Sequence, residues 1–384
     1  MPPLVVLGLA EFVRGALVLS LLPMYGQYAA GYSLEIIGTA ISLQYLLDNL
    51  FRIPAGWLND RFGGKWLLMA GISLLGSGVY IMYAHWNIAL FFLGAGLFGL
   101  GFTPVWPVVV ATISSRMPAA QMGEALSTVF MAWLIGGGLG PVMINFIIGH
   151  SYRLAFSILL AELLIALFFA IIGDFPPVVF KVISPSNSLK ELLHEAFSLK
   201  IIYPGMVMQT MALGILGPII AVYARMVFGL STEQFNLFLV GGGIFTVVLL
   251  IPAGKLTDRW GYKIPLNAGL LLAAIGLIIL PLQKVAVYAL ISGSFIGIAY
   301  ALILPSWNGV LGRVVSPDKR GTMWAIFMTL EGLGMAAGSY IGGKVWEGWG
   351  HGAPFFISSF IMAAMAIFYT INDIDQLVNV NNGN

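Results

Sequence analysis

Uninterrupted apolar runs long enough to cross a bilayer constrain this chain more than any other feature. A helix needs about 20 apolar residues to span the hydrocarbon core. Proline, glycine and charged punctuation divides the 384 residues into about twelve such runs, near 3–25, 34–57, 66–84, 87–113, 121–149, 154–173, 202–226, 232–254, 264–281, 285–311, 321–343 and 353–372. Runs this continuous exclude a transmembrane barrel, whose strands alternate over about ten residues. Only 9% of the residues are charged, and the mean hydropathy is +0.94. A water-soluble exterior needs a charged fraction nearer about 25%. The expected class is therefore an all-α integral membrane protein. With no polar tracts and a net charge of +2, disorder and nucleic-acid binding are excluded as well. The chain has no cysteine, which rules out disulfides, thiolate zinc sites and thiol catalysis.

The first run has no basic stretch before it and holds Glu11 and Arg14, so a cleaved signal peptide is not expected. With both termini cytoplasmic, the inner loops carry twelve Lys and Arg residues, and the outer loops carry four, Arg153, Arg225, Lys284 and Lys344. That asymmetry is the one the positive-inside rule requires. The stretch 175–200, between the sixth and seventh runs, opens with Pro176 and Pro177, which stop a continuing helix. Within it, Ser188 and Glu191 read as a capping box, followed by Leu189, Leu192, Leu193 and Phe197 at helical spacing. This predicts a short amphipathic helix on the cytoplasmic face. It joins two six-helix bundles, 1–174 and 201–384.

The two halves repeat. IPAG at 53–56 returns at 251–254. Asp60, Arg61, Gly63 and Lys65 return as Asp258, Arg259, Gly261 and Lys263, all at an offset of 198. Pro104-x-Trp106 returns as Pro305-x-Trp307, shifted by 201. Parallel halves of this kind are a transporter architecture, with the substrate site near the midplane between them. Gly56-x-Leu58-x-Asp60-Arg61-x-Gly63-x-Lys65 resembles the loop 2–3 signature of the major facilitator superfamily. Gly254-x-Leu256-x-Asp258-Arg259-x-Gly261-x-Lys263 is its second copy. The resemblance covers the whole chain and implies two pseudo-symmetric six-helix bundles that work by alternating access. Each loop is expected to act as a charge latch, its acid and base paired in one conformation and parted in the other.

No nucleotide cradle of the form GxxxxGK[ST] is present. Gly94-x-Gly96-x-x-Gly99 lies inside an apolar run with no strand before it, which reads as helix packing through small residues. His85, His150, His194 and His351 show neither HExxH nor triad spacing, so an enzyme is not expected. No cofactor and no metal are expected, and an ion gradient is the energy source.

Ionisable groups within the bilayer are expensive and therefore functional suspects. Glu11 and Arg14 are three apart, and Asp48 and Arg52 four apart, so each pair shares a helix face. Together they predict a four-member network for proton coupling and head-group binding, with Glu331 on the eleventh run as a further coupling carboxylate. Glu162, on the sixth run, is expected to face lipid or a helix interface. Gly136-x-x-x-Gly140-Pro141 is similar to a kink found in exporters of the superfamily, with plain packing as the alternative reading.

The prospective cavity residues differ between the halves. Gln44, Tyr45, Asn49 and Trp106 suit a sugar or another polar head group. Met206, Met208, Gln209, Tyr300, Trp307 and Asn308 sit among aliphatic residues and describe an adaptable, largely apolar pocket. That split suits an amphiphile. A narrower resemblance points the same way, to the proton-coupled flippases that move the glycolipid anchor of lipoteichoic acid. It is carried by Glu11-Phe12-x-Arg14-Gly15, Gln121-Met122-Gly123, Pro204-Gly205 with Gln209, and Leu304-Pro305-x-Trp307-Asn308. It implies that Glu11, Arg14 and Asp48 form the proton and head-group site, that Trp106 stacks on sugar, and that Trp307 lies towards the acyl chains. It also implies diglucosyl-diacylglycerol as cargo and a monomer in the plasma membrane, with lipid, cargo and protons as partners. The chain departs from the pattern at Glu331, where the pattern has an amide, and at Asp60, where it has a basic residue. A proton-coupled drug or metabolite exporter of the same superfamily is the alternative.

Overall fold

The computed structural model describes residues 2–84, 87–116, 122–175, 199–314 and 320–376. All regular structure among them is helical. The chain divides into two compact units, Met1–Val182 and Ile183–Asn384. The amphipathic helix expected within 175–200 falls almost entirely outside the described residues, as does Gln121.

The first unit runs α1 (Pro2–Ala16), a π turn (Leu17–Leu21), α2 (Leu22–Tyr28), α3 (Leu34–Leu50), α4 (Arg52–Phe62), α5 (Gly64–Tyr83), α6 (Ile88–Phe102), α7 (Val105–Ser114), α8 (Met122–Ile148) and α9 (Tyr152–Ile172). Polar side chains start several of these helices by accepting from otherwise orphaned backbone N–H groups. Ser33 accepts from Ile36 N–H, Asn87 from Leu90 N–H, and Ser151 from Leu154 N–H. The second unit runs α10 (Ile202–Leu216), α11 (Ile220–Phe228), α12 (Thr232–Trp260), α13 (Lys263–Ile279), α14 (Ala286–Val314), α15 (Arg320–Trp349) and α16 (Ala353–Ile371). Here Ser231 and Gln234 form a reciprocal capping box at the start of α12.

Nine helical stretches among the described residues are long and apolar enough to span a membrane. The pair α10 and α11, bent by 42°, makes a tenth. Two of the twelve expected runs are helical but are not among these. The run 34–57 breaks at Phe51 into α3 and α4, with Asp48 and Arg52 flanking the break. The run 321–343 lies in α15, where Glu331 and several glycines lower the hydropathy.

Close backbone approach sets the packing inside each unit. In the first, a Cβ on Gly136 would meet the carbonyl of Gly8, and one on Gly140 the carbonyl of Phe12, so α1 and α8 touch through bare backbone. In the second, Gly334, Gly338 and Gly342 bring α15 against the carbonyls of Val207, Met211 and Ile215 on α10. Small residues are what permit such contact where lipid removes the hydrophobic drive between helices. Gly136-x-x-x-Gly140-Pro141 thus serves as a packing face. Gly94 and Gly99 do the same against Gly78 and Gln44, in keeping with the packing reading of that motif.

Candidate transport site

Arg14 is the hub of a buried charge network in the first unit. Its Nε and Nη2 donate to the two carboxylate oxygens of Glu11, at 3.1 and 3.0 Å, in a forked pair. Its Nη1 donates to Asp48 Oδ2 at 3.1 Å, bridging α1 to α3 across 34 residues of chain. Arg52 Nη2 donates to the same oxygen at 3.0 Å. Trp106, at the start of α7, donates its indole N–H to Glu11 Oε1 at 2.6 Å. The guanidinium lies 3.9 Å from the Phe102 ring centroid and 5.8 Å from that of Tyr45, within cation–π range of both. The structure therefore brings Glu11, Arg14, Asp48, Arg52 and Trp106 together, with Tyr45 beside them. Phe102 is a member that the sequence did not single out, because nothing in an apolar run marks which aromatic faces a cation.

Two acids and two arginines balance, so the network is neutral with every group ionised. Its hydrogen bonds are unevenly shared. Glu11 has both oxygens engaged, whereas Asp48 takes both arginines on Oδ2 and leaves Oδ1 buried without a partner. Both polar atoms of Gln44 and the Oδ1 of Asn49, on the same helix as Asp48, are also buried and unpartnered, as is Arg52 Nε across the break at Phe51. Buried polar atoms are rarely left unbonded, since each forfeits its hydration. A stripe of them at 44, 48 and 52 is a surface ready for hydroxyls, water or a proton.

In the second unit Trp307 is buried and donates to Glu331 Oε1 at 3.4 Å. Its ring centroid lies 6.0 Å from that of Tyr369. Gln209 is buried with its Nε2 unpartnered, Tyr300 is half-buried, and Asn308 is exposed. Trp307, Gln209 and Glu331 thus share a region of the second unit.

The repeated loops are built around glycines with positive φ, +84° at Gly63 and +81° at Gly261, a backbone region that other residues adopt only with strain. Gly56 and Gly254 have no such constraint and nothing closer than 4.0 Å to an added Cβ. The Asp60 side chain lies outside the described residues. Arg61 is exposed and lies over the rings of Trp57 and Phe62, at 5.3 and 5.4 Å, while Lys65 is half-buried. Asp258 and Arg259 are exposed and join none of the ion pairs among the described residues. The second loop is held instead by residues that follow α16. Asp375 accepts from the N–H groups of Tyr262 and Lys263, at 2.8 and 3.4 Å, and Lys263 Nζ lies 3.9 Å from Asp373 Oδ1. In the first unit Arg116 pairs with Asp174, which likewise follows α9. The sequence held one hint of this, since Asp174 and Asp373 occupy matching places after the sixth and twelfth runs.

The Major Facilitator Superfamily model matches residues 4–201 and again 202–382, one copy per half. The chain belongs to the Major Facilitator Superfamily. As a superfamily member it is a multi-pass membrane transporter and not an enzyme. It is 26% identical to the proton-coupled antiporter flippase LtaA of Staphylococcus saprophyticus, over 99% of this chain and 94% of that one. The protein of the same name from Staphylococcus aureus strain USA300 is 24% identical, over 95% of this chain and 92% of its own. Among solved superfamily-type folds, a D-xylose-proton symporter superposes with a TM-score of 0.78 at 18% identity, covering 100% of this chain and 98% of that one. The nucleoside transporter NupG superposes with a TM-score of 0.75 at 16% identity, over 99% and 98%.

Proposed function

We propose that this protein is a proton-coupled transporter that works by alternating access between its two halves and moves an amphiphile across the plasma membrane. The cargo read here is a glycolipid such as diglucosyl-diacylglycerol, the anchor of lipoteichoic acid. The carrying observation is the free Oδ1 of buried Asp48 beside a neutral four-charge network. Protonating Asp48 weakens its hold on Arg14 and Arg52, because a neutral carboxyl no longer matches two guanidinium charges. The released arginines and the unpartnered Gln44 and Asn49 then offer donors and acceptors to sugar hydroxyls. Glu11 has both oxygens held by the fork of Arg14 and the indole of Trp106, so it orients Arg14 while Asp48 exchanges the proton. The similarity to the staphylococcal flippases along nearly the whole chain supports a lipid cargo and a proton gradient as the driving force, with no cofactor. Both termini lie on the cytoplasmic side in this reading, as the loop charges require.

The test uses purified protein in liposomes, with a fluorescent diglucosyl-diacylglycerol in both leaflets and quenching of the outer one. Flipping should depend on protein, accelerate under a pH gradient, and lose that acceleration in Asp48→Asn. Folded protein that flips nothing would overturn the lipid reading in favour of soluble cargo. A gradient effect that survives Asp48→Asn would move coupling elsewhere.

A further inference from the structure

The carboxylates hold Arg14 only by the edges of its guanidinium plane. Nε and Nη2 go to Glu11, and Nη1 goes to Asp48. A guanidinium has five N–H donors, all in that plane, so two remain for other partners. The face of the plane is held separately, with its central carbon 3.9 Å from the centroid of the Phe102 ring. A ring face attracts a cation, occupies none of the in-plane donors and has no proton for pH to remove.

Phe102 has little freedom to move. It is buried at the end of α6. A Cβ on Gly99 would meet the Gln44 backbone of α3, and one on Gly101 would meet the Gly71 carbonyl and the Leu75 nitrogen of α5. The helix stops just beyond, where Pro104 has no N–H to continue the ladder, and α7 restarts at Val105. That restart carries Trp106 to Glu11, so two aromatics of one broken span hold the two members of the Glu11–Arg14 pair.

The duplication ties the ring to the cation. The offset of 201 that carries Pro104 and Trp106 onto Pro305 and Trp307 carries Phe102 onto Ile303, which is buried as well. Gly140 and Gly338 approach the carbonyls of Phe12 and Met211, which aligns Arg14 with Leu213. The half without the arginine has an aliphatic side chain in place of the ring, although it keeps the tryptophan. Packing alone therefore does not require a ring at that place.

We propose that Phe102 is a positioning residue, whose ring keeps the Arg14 guanidinium aimed into the site while Asp48 gains and loses its proton. Its hold on the face leaves the unused N–H donors for cargo hydroxyls. The inference rests on the proton-coupled reading above and adds to it the anchor that does not titrate. The charged and titratable groups around Arg14 are Glu11 on α1, Tyr45 and Asp48 on α3, and Arg52 of α4, which shares Asp48. Helices α6 and α7 and residues 127–148 of α8 carry none, and Glu162 of α9 is not an ion-pair partner of Arg14. With Asp48 neutral, Arg14 keeps only the Glu11 fork and the ring.

Mono-, di- and trifluorinated phenylalanine in place of Phe102 weaken the ring's pull on a cation at nearly constant shape. In the Asp48→Asn protein, which fixes that position neutral, the Kd for the diglucosyl lipid should rise stepwise along the series, to about tenfold for the last member. Phe102→Trp should bind close to the unfluorinated protein. A Kd flat across the fluorinated series overturns the proposal, even where Phe102→Leu binds poorly or fails to fold, because shape then accounts for the ring. Protein that is folded yet binds no diglucosyl lipid before any fluorination overturns the glycolipid reading instead. The ring is then read without cargo, from the thermal midpoint of the Asp48→Asn protein. That midpoint should fall stepwise with fluorination, and an unchanged midpoint overturns the proposal.

Discussion

Arg14 holds two carboxylates on one guanidinium, and removing it leaves Glu11 buried with only the Trp106 indole and Asp48 with only Arg52. Breaking a buried ionic cluster by deleting one partner costs about 3–5 kcal/mol. Arg14→Ala should accordingly lower the thermal midpoint of the purified protein strongly. The double variant Arg14→Ala with Glu11→Gln should recover part of that loss, because the orphaned acid is neutralised. A midpoint unchanged in the single variant would mean that water reaches the network and screens it. At this scale the sequence was informative where charge is rare. Glu11, Arg14, Asp48 and Arg52 stood out because an apolar span carries ionised groups only when they pair. The pairing itself was legible from spacings of three and four. The bridge from Arg14 to Asp48 was not, since it joins α1 to α3 and depends on how those helices pack.

Helix pairs in this protein are set by glycine placement, and glycines differ sharply in what they tolerate. Gly140→Ala pushes a methyl group into the Phe12 carbonyl across the α1–α8 contact. Gly56→Ala meets nothing within 4 Å. The first should lower stability by about 1–3 kcal/mol, as overpacking does, and the second should leave it almost unchanged. Thermal melting of the two variants in detergent checks the contrast, and equal losses would deny the close approach. From the sequence, Gly136-x-x-x-Gly140-Pro141 admitted both a directional kink and simple packing. The backbone contacts show the packing, a property of two helices that no single helix displays. The break at Phe51 was equally hidden, since the apolar pattern of 34–57 continues through it.

At the scale of the whole molecule, we propose that the repeated loops act on the equilibrium between conformations and not on cargo contacts. Arg61→Gln should slow turnover in liposomes while leaving the Kd for the diglucosyl lipid unchanged. A raised Kd at parental turnover would place the loop in cargo binding. In the second unit Asp373 and Asp375 hold the turn, while Asp258 and Arg259 are exposed. A carboxylate after α16 reaches the start of α13 because those helix ends meet in space. The helical class was readable from the chain alone, because hydrocarbon thickness and backbone hydrogen bonding leave few ways to cross a bilayer, and the duplication and the superfamily resemblance were readable from the repeated loop motifs. The tertiary structure alone decided which charges meet, that Asp48 keeps an oxygen free, and that Trp307 finds its acid on a different helix from Trp106. Those facts are contacts between residues far apart in the chain, and periodicity along one helix carries no information about its neighbour.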